Sequence, residues 1–531
     1  MSKSNSSKSV GSQLLLEIAR PDIYRSNGFR ILGLPVCAST REIVAQSKKL
    51  DIIEKLGNIP TDNSDILPIS PSPDIQARRL SLQRLSNPEF RLIDEIFWFW
   101  TLDHSSPQDS DAALLYLMKH DLKGAVNIWH EREAHVSESN ASKHNLAILY
   151  HLLALDLEAE QANRALTSTE STLKQDYWKE SFTRWLTLIN YEGFWDRLNS
   201  RIHALGDPRL TEQTLDEIRQ GFPIALISIN AQLAARAAQK NDKTLSLFHI
   251  NLMRNSGFPS KSIDDVLVKV AAPTNDQIKI LCESTDAIVN NAPEAGKQQA
   301  NLIADKSANL LSSLDVLLPL GSTMLESAHD KVALCIMRAQ IAYGNKTEDW
   351  ESSLELLSKA IRVAISPSTK QRISDNADIV KSNLQYFKDF QTCWFCGTNR
   401  ADSSAQMGVK MHGYVERLGN QVSWRKLEVP VPRCVRCKSA HARDSVIGTI
   451  GAILGSILGT VGCFSIKAYT WGLFGLLPIA VGAGIGYGIG KGIGRIASSG
   501  SKPESHSHEF LTVRNAFSEG WRFGDKPSGV N

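Results

Sequence analysis

The sequence predicts a mainly α protein that carries one small β unit held by a metal and one two-helix transmembrane hairpin. Three observations predict it. Apolar residues recur at three- and four-residue steps through the middle of the chain, as in Leu146, Leu149, Leu153 and Leu157, and that is the period of an amphipathic helix. Two Cys-x-x-Cys pairs, Cys393/Cys396 and Cys434/Cys437, bracket segments of alternating polarity, which is the period of a strand. Residues 446–466 and 471–490 are uncharged and apolar, and only residues 467–470 lie between them.

At 531 residues the chain has the length of about three or four folded units. Its formal net charge of +3 is close to neutral, so no overall field draws it to nucleic acid. Eight cysteines, four of them in the two pairs, fit a reducing compartment and a metal site better than a disulfide framework. Residues 1–20 read as a polar, disordered tail, and the apolar patch Leu14–Leu16 is too short for a signal sequence.

Residues 21–104 form the first expected unit. Ser39 or Thr40 caps a helix that starts near Arg41 and runs through Lys55. A loop rich in proline and serine follows over 57–73. A second helix over 74–85 stops at Ser86-Asn87-Pro88, and a third over 91–100 closes on Phe97-Trp98-Phe99-Trp100. The run from Phe29 to Ile43, with Leu32-Gly33-Leu34-Pro35 and Ala38-Ser39, resembles the opening of a J domain, and the run from Leu85 to Arg91 resembles its last helix entry. That resemblance implies a helical hairpin related to co-chaperones of a heat-shock ATPase. J domains act through a His-Pro-Asp tripeptide, and this stretch has none: Ile59-Pro60-Thr61 and Ser72-Pro73-Asp74 lack the histidine. The expectation is a unit that is J-like in shape without chaperone activation.

Residues 110–390 are expected to be helical throughout. Besides the leucine stripe above, Leu226, Ile229, Leu233 and Ala237 make a second and Leu354, Leu357, Ile361 and Ala364 a third. Trp178, Trp185 and Trp195 are expected in the core. The style resembles a tetratricopeptide-type solenoid with a degraded consensus. Such arrays present extended surfaces to other proteins.

Residues 391–443 change character. Segments 408–416 and 422–431 alternate and read as strands between the two cysteine pairs. Four thiolates in a tetrahedron suit a closed, structural zinc site, with Cys393, Cys396, Cys434 and Cys437 as ligands. The pattern resembles a zinc ribbon. His412 and His441 are then surplus, and a redox role is disfavoured because neither pair sits in a βαβ setting.

Residues 446–496 are expected to form the hairpin. A bilayer core needs roughly 20 apolar residues per helix. Gly451, Gly455 and Gly459 repeat at four-residue spacing, as do Gly482, Gly486 and Gly490, which lets two helix backbones approach closely. Arg433, Arg436, Lys438 and Arg443 precede the spans and Lys491, Arg495 and Lys502 follow them. By the positive-inside rule the expected location is the inner membrane, multi-pass, with both termini cytoplasmic. In residues 497–531, Phe510, Val513, Phe517 and Trp521 read as a short amphipathic helix. The complete order of segments resembles a class of bacterial membrane-anchored proteins.

No motif in the chain argues for an enzyme. The glycine strings near Gly484–Gly494 match a dinucleotide pattern only through their glycine content. His130 and His135 stand five apart, and on a helix they are about 140° from each other. The functional expectation is a membrane-tethered scaffold or adaptor that binds proteins on the cytoplasmic side through its helical repeats, with the bilayer as its second partner. The alternatives are a glycine zipper that self-associates or perforates membranes, and nucleic-acid binding by the ribbon through Arg425, Lys426, Arg433, Arg436 and Lys438. The near-neutral charge argues against the last.

Overall fold

The computed structural model describes residues 10–56, 66–102, 110–418, 421–465, 481, 485, 487 and 501–528. It divides into two compact units: residues 1–346 with 358–371, and residues 347–357 with 372–531.

The first unit is an α array: α1 (Val10–Ile18), α2 (Gly28–Leu32), α3 (Thr40–Leu56), α4 (Ile75–Ser86), α5 (Pro88–Ile96), α6 (Ala112–Met118), α7 (Leu122–Glu133), α8 (Val136–Gln161), α9 (Ser168–Ile189), α10 (Glu192–Leu205), α11 (Glu212–Gln239), α12 (Lys243–Arg254), α13 (Ser260–Asn291), α14 (Gly296–Leu317) and α15 (Thr323–Thr347). Local sequence sets several boundaries. Asn87 ends α4 and caps α5 through its side chain, with Pro88 in the first turn, where its missing N–H costs nothing. Thr167 and Glu170 close a capping box on α9. Successive helices then pair: α8 with α9, α11 with α12, and α13 with α14.

Two sequence expectations change here. Within the expected tail, residues 10–18 form α1, which packs on α11 and buries Leu15 and Ile18. The third helix ends at Ile96, and Phe97 to Trp100 continue as non-helical chain. All four aromatics are buried. A buried helix end needs partners for its free carbonyls, and tertiary contacts supply them. Asn27 Nδ2 donates to the carbonyls of Asp94 at 2.8 Å and Phe97 at 3.2 Å. The His144 Nε2–H donates to the Ile96 carbonyl at 2.7 Å. The Asn145 side chain pairs with both backbone groups of Trp100, at 2.7 and 2.8 Å. The indole N–H of Trp100 donates to the Glu95 carbonyl at 2.7 Å.

Around this segment lies an aromatic core. Phe97 stacks on Phe222 at 5.5 Å, and Trp185 meets Phe222 at 5.3 Å. Trp178, Trp185 and Trp195 are buried, as expected. Buried charges are paired. Glu95 accepts from Arg91 at 2.9 Å and from Arg201 at 2.6 and 2.7 Å. Arg30 pairs with Asp156 at 2.6 Å and Lys174 with Glu158 at 2.9 Å. Arg30 and Glu95 come from the first helices and Asp156 and Arg201 from the array, so these helices and the array share one core.

The chain passes between the units within α16 (Trp350–Val363) and α17 (Pro367–Gln391). The second unit then has β1 (Met407–Leu418), β2 (Gln421–Val431), α18 (Val435–Ser465), α19 (Leu511–Ser518) and β3 (Arg522–Phe523). The sheet is antiparallel in the order β2-β1-β3. The two expected strands are present, and β3 is added by the C-terminal segment.

The expected membrane location is corrected. Among the described residues no helix is long and apolar enough to cross a membrane. The first expected span belongs to α18, but the opening turns of that helix carry Arg436, Lys438, His441, Arg443 and Asp444, and Cys437 and His441 there are buried in the second unit. Gly451 is half-buried and Gly455 buried on α18. Gly459 lies on the helix beyond the described side chains. Gly482, Gly486, Gly490 and nearly all of the second expected span lie outside the described residues.

Candidate metal centre

The cysteine pairs sit on two tight turns. In the first, the Gly397 N–H donates to the Cys393 carbonyl at 2.8 Å, and the Cys393 N–H donates to the Asn399 carbonyl at 2.8 Å. Gly397 has φ +67°, in the left-handed region where a Cβ is strained. The Asn399 N–H then points at Cys396 Sγ, at 3.5 Å. In the second turn Cys434 precedes α18, and the Cys437 N–H donates to Cys434 Sγ at 3.4 Å. A thiolate at that position is stabilised by free N–H groups and the helix dipole.

Backbone hydrogen bonds lock the turns together. The Trp394 N–H donates to the Pro432 carbonyl at 2.9 Å and the Asp402 N–H to the Arg433 carbonyl at 3.1 Å. Asn399 Nδ2 crosses to Cys434 Sγ at 3.7 Å. The result is a cluster in which the Sγ atoms of Cys393, Cys396, Cys434 and Cys437 all lie within 4.8 Å of one another. Three of the four cysteines are buried and Cys396 is half-buried. The four residues expected as ligands are therefore brought together, and they can hold a metal ion.

The electrostatics separate the four thiols. At Cys396 burial opposes ionisation, but hydrogen bonds from the Thr398 side chain and from the Asn399 and Thr398 N–H groups outweigh it and lower the pKa to about 6. At Cys434 burial likewise opposes ionisation, yet the Cys437 N–H and Asn399 lower its pKa. Cys437 is pushed up to about 12, first by burial and then by its thiol neighbours. Burial also raises Cys393. Four thiols this close cannot all ionise without a cation among them, and a divalent metal supplies that charge.

His412 and His441 are both buried and both engaged away from the sulfurs. His441 Nε2–H donates to the Lys502 carbonyl at 2.9 Å, and its Nδ1 faces the Arg433 guanidinium at 3.3 Å. His412 Nδ1 donates to the Gly524 carbonyl at 3.1 Å. They tie down the C-terminal segment, whose only signal in the sequence is four spaced apolar residues. That segment covers the cluster. Phe510 and Val513 bury against Phe395, Val409, Met411 and Val431 in one core with three of the cysteines. Trp394 stacks on His506 at 5.1 Å and donates to its carbonyl at 2.9 Å. The Lys502 N–H donates to the Phe395 carbonyl at 2.8 Å. The expected amphipathic helix is α19, and it is shorter than expected. Trp521 lies beyond its end and packs over Gly413, where an added Cβ would meet the indole at 2.9 Å.

The chain matches no family model, no curated protein and no solved structure.

Proposed function

We propose that this protein is a scaffold that binds a partner protein through its helical array, with a structural zinc ion holding the second unit. One observation carries the reading. Consecutive helices of the array place large apolar side chains in solvent: Leu247 on α12, Ile280 and Ile288 on α13, and Leu302 on α14. Ile280, the most exposed of these at 63%, and Ile288 stand two turns apart. We read these groups on successive helices as one apolar surface of the kind that marks an interaction site, and tetratricopeptide-like arrays use their faces in this way.

Zinc is favoured over other metals by the donor set, since four thiolates in a closed site suit it. With all positions filled by sulfur, no position remains for water or substrate, so the role is structural. The J-like stretch of sequence falls on α2 to α5, and without a His-Pro-Asp its role in this reading is docking within the array.

The test is crosslinking in cells followed by affinity purification. The wild-type chain is compared with a variant carrying Ile280→Glu and Ile288→Glu, which leaves the buried core alone. A discrete partner recovered with the wild type and lost with the variant supports the scaffold reading. Equal recovery from both overturns it.

A further inference from the structure

Outside the metal cluster, a second cysteine pair lies inside the helical array. Cys282 is on α13 and Cys335 on α15, and both are buried. Cys335 Sγ reaches the backbone carbonyl of Cys282 at 3.7 Å and Asp286 Oδ1 at 3.7 Å. Asp286 is in turn held by Arg338 at 2.6 and 3.1 Å. Cys335 Sγ thus reaches across the helix pair to the backbone of Cys282 itself.

The surroundings are asymmetric. A cavity of about 450 Å³ opens beside the pair, and its walls include Cys282, Asp286, Lys331 and Arg338. Cys335 is not among them. A small solute entering from solvent therefore meets Cys282 rather than Cys335, among cationic and acidic side chains. We infer that Cys282 and Cys335 form a peroxide-responsive dithiol, with Cys282 as the attacking thiol and Cys335 as the resolving one, that closes to a disulfide stapling α13 to α15.

The chemistry balances with a hydroperoxide as oxidant. The Cys282 thiolate attacks one peroxide oxygen, an S–O bond forms and the O–O bond breaks. The sulfur loses two electrons to the peroxide, and the departing oxygen leaves as hydroxide or alkoxide and takes up a proton. Cys335 then attacks the sulfenic sulfur. The S–S bond forms, the S–O bond breaks, and the hydroxyl leaves as water with the Cys335 proton. The division of labour agrees with the two thiol acidities. The hydrogen bond from Cys335 lowers Cys282 against burial and the Asp286 charge, with Arg338 and Lys331 adding a smaller lowering, whereas the same hydrogen bond and burial raise Cys335. The thiolate is the reactive form.

The experiment uses the full-length, metal-loaded protein. It is treated with hydrogen peroxide, digested without reductant and mapped by mass spectrometry. The expected product is one peptide pair joined through Cys282 and Cys335, lighter by its two thiol hydrogens and separated again by dithiothreitol. In Cys335→Ser, a 1,3-dione probe should label Cys282, and in Cys282→Ser the same probe should leave Cys335 unlabelled. Unjoined peptides in the wild type, Cys282 joined to any other cysteine, or labelling of Cys335 in Cys282→Ser each overturn the assignment.

Discussion

The two units hold themselves together in different ways. The first buries Trp178, Trp185, Phe97 and Phe222 together with charges that are paired inside the protein. Its interior is large enough for apolar burial to carry it. The second has a small core of Phe395, Val409, Met411, Val431, Phe510 and Val513 gathered on four cysteines. A core of that size supplies little stability alone, and small units of this kind need a metal or a disulfide. The lesson is that buried polarity serves opposite ends. In the first unit each buried charge has its partner in the chain. In the second the four clustered thiols can take their counter-charge from a metal ion.

The sharpest way to break this comparison is to remove the metal. A chelator, or Cys434→Ser, should unfold the second unit, because binding of a structural metal is worth roughly 10 kcal/mol. The sheet signal and the fluorescence of Trp394, Trp424 and Trp521 should change while most of the helical circular dichroism persists. Loss of both signals at one chelator concentration would show that the units do not differ in this way.

Next in size is Glu95→Ala in the first unit. It leaves the buried Arg91 and the half-buried Arg201 without their carboxylate, and breaking a buried pair costs about 3–5 kcal/mol. Chemical denaturation of the helical signal should shift accordingly, with metal content unchanged. A shift below about 1 kcal/mol, the worth of an exposed pair, would mean that the site is open to water.

Acid should also act on the first unit. His144 and His151 are buried, and burial holds each pKa near 3, against an ordinary 6.5. His151 Nδ1 accepts from the Tyr24 hydroxyl at 3.0 Å and the Trp185 N–H at 3.2 Å, which a protonated ring cannot do. Between these values the unfolded chain binds more protons than the folded one, so stability rises with pH. The contribution is complete above 6.5 and is lost as the pH falls toward 3, by about 1.4 kcal/mol per pH unit for each ring. His151→Gln should flatten the slope of thermal midpoint against pH in that window. An unchanged slope would remove this ring from the account.

The smallest effect is expected from Gly413→Val. The new side chain displaces Trp521, and overpacking of this kind costs about 1–3 kcal/mol. Proteolysis after Arg522 should accelerate while one equivalent of metal is retained. Metal loss in this variant would mean that the C-terminal segment is needed for the cluster itself.

Much of this was legible without coordinates. The 3.6-residue stripes fix the helices because they depend on neighbours along the chain, and Asn87-Pro88 marks a helix boundary through its own chemistry. The cysteine pairs mark the metal cluster because knuckle spacing presets the position of two thiols at a time. The end of α5 at Ile96 was not legible. Phe97 to Trp100 have the composition of a buried helix, and Asn27, His144 and Asn145, distant in sequence, supply hydrogen bonds that release them from it. The first expected span misled for a related reason. Length and lack of charge are properties of a segment, whereas α18 begins inside the metal unit, which only the fold reveals.

Sequence by itself therefore determined the helical class, the strand pair and the four thiols, since each rests on spacing within one short stretch. Tertiary structure alone decided the rest. It put Tyr24 and Arg30 in the same core as His151 and Asp156, laid residues 501–525 over the cysteine cluster, and set Cys282 against Cys335. Each of these joins residues far apart in the chain, and no local period or propensity carries the energy of a contact between them.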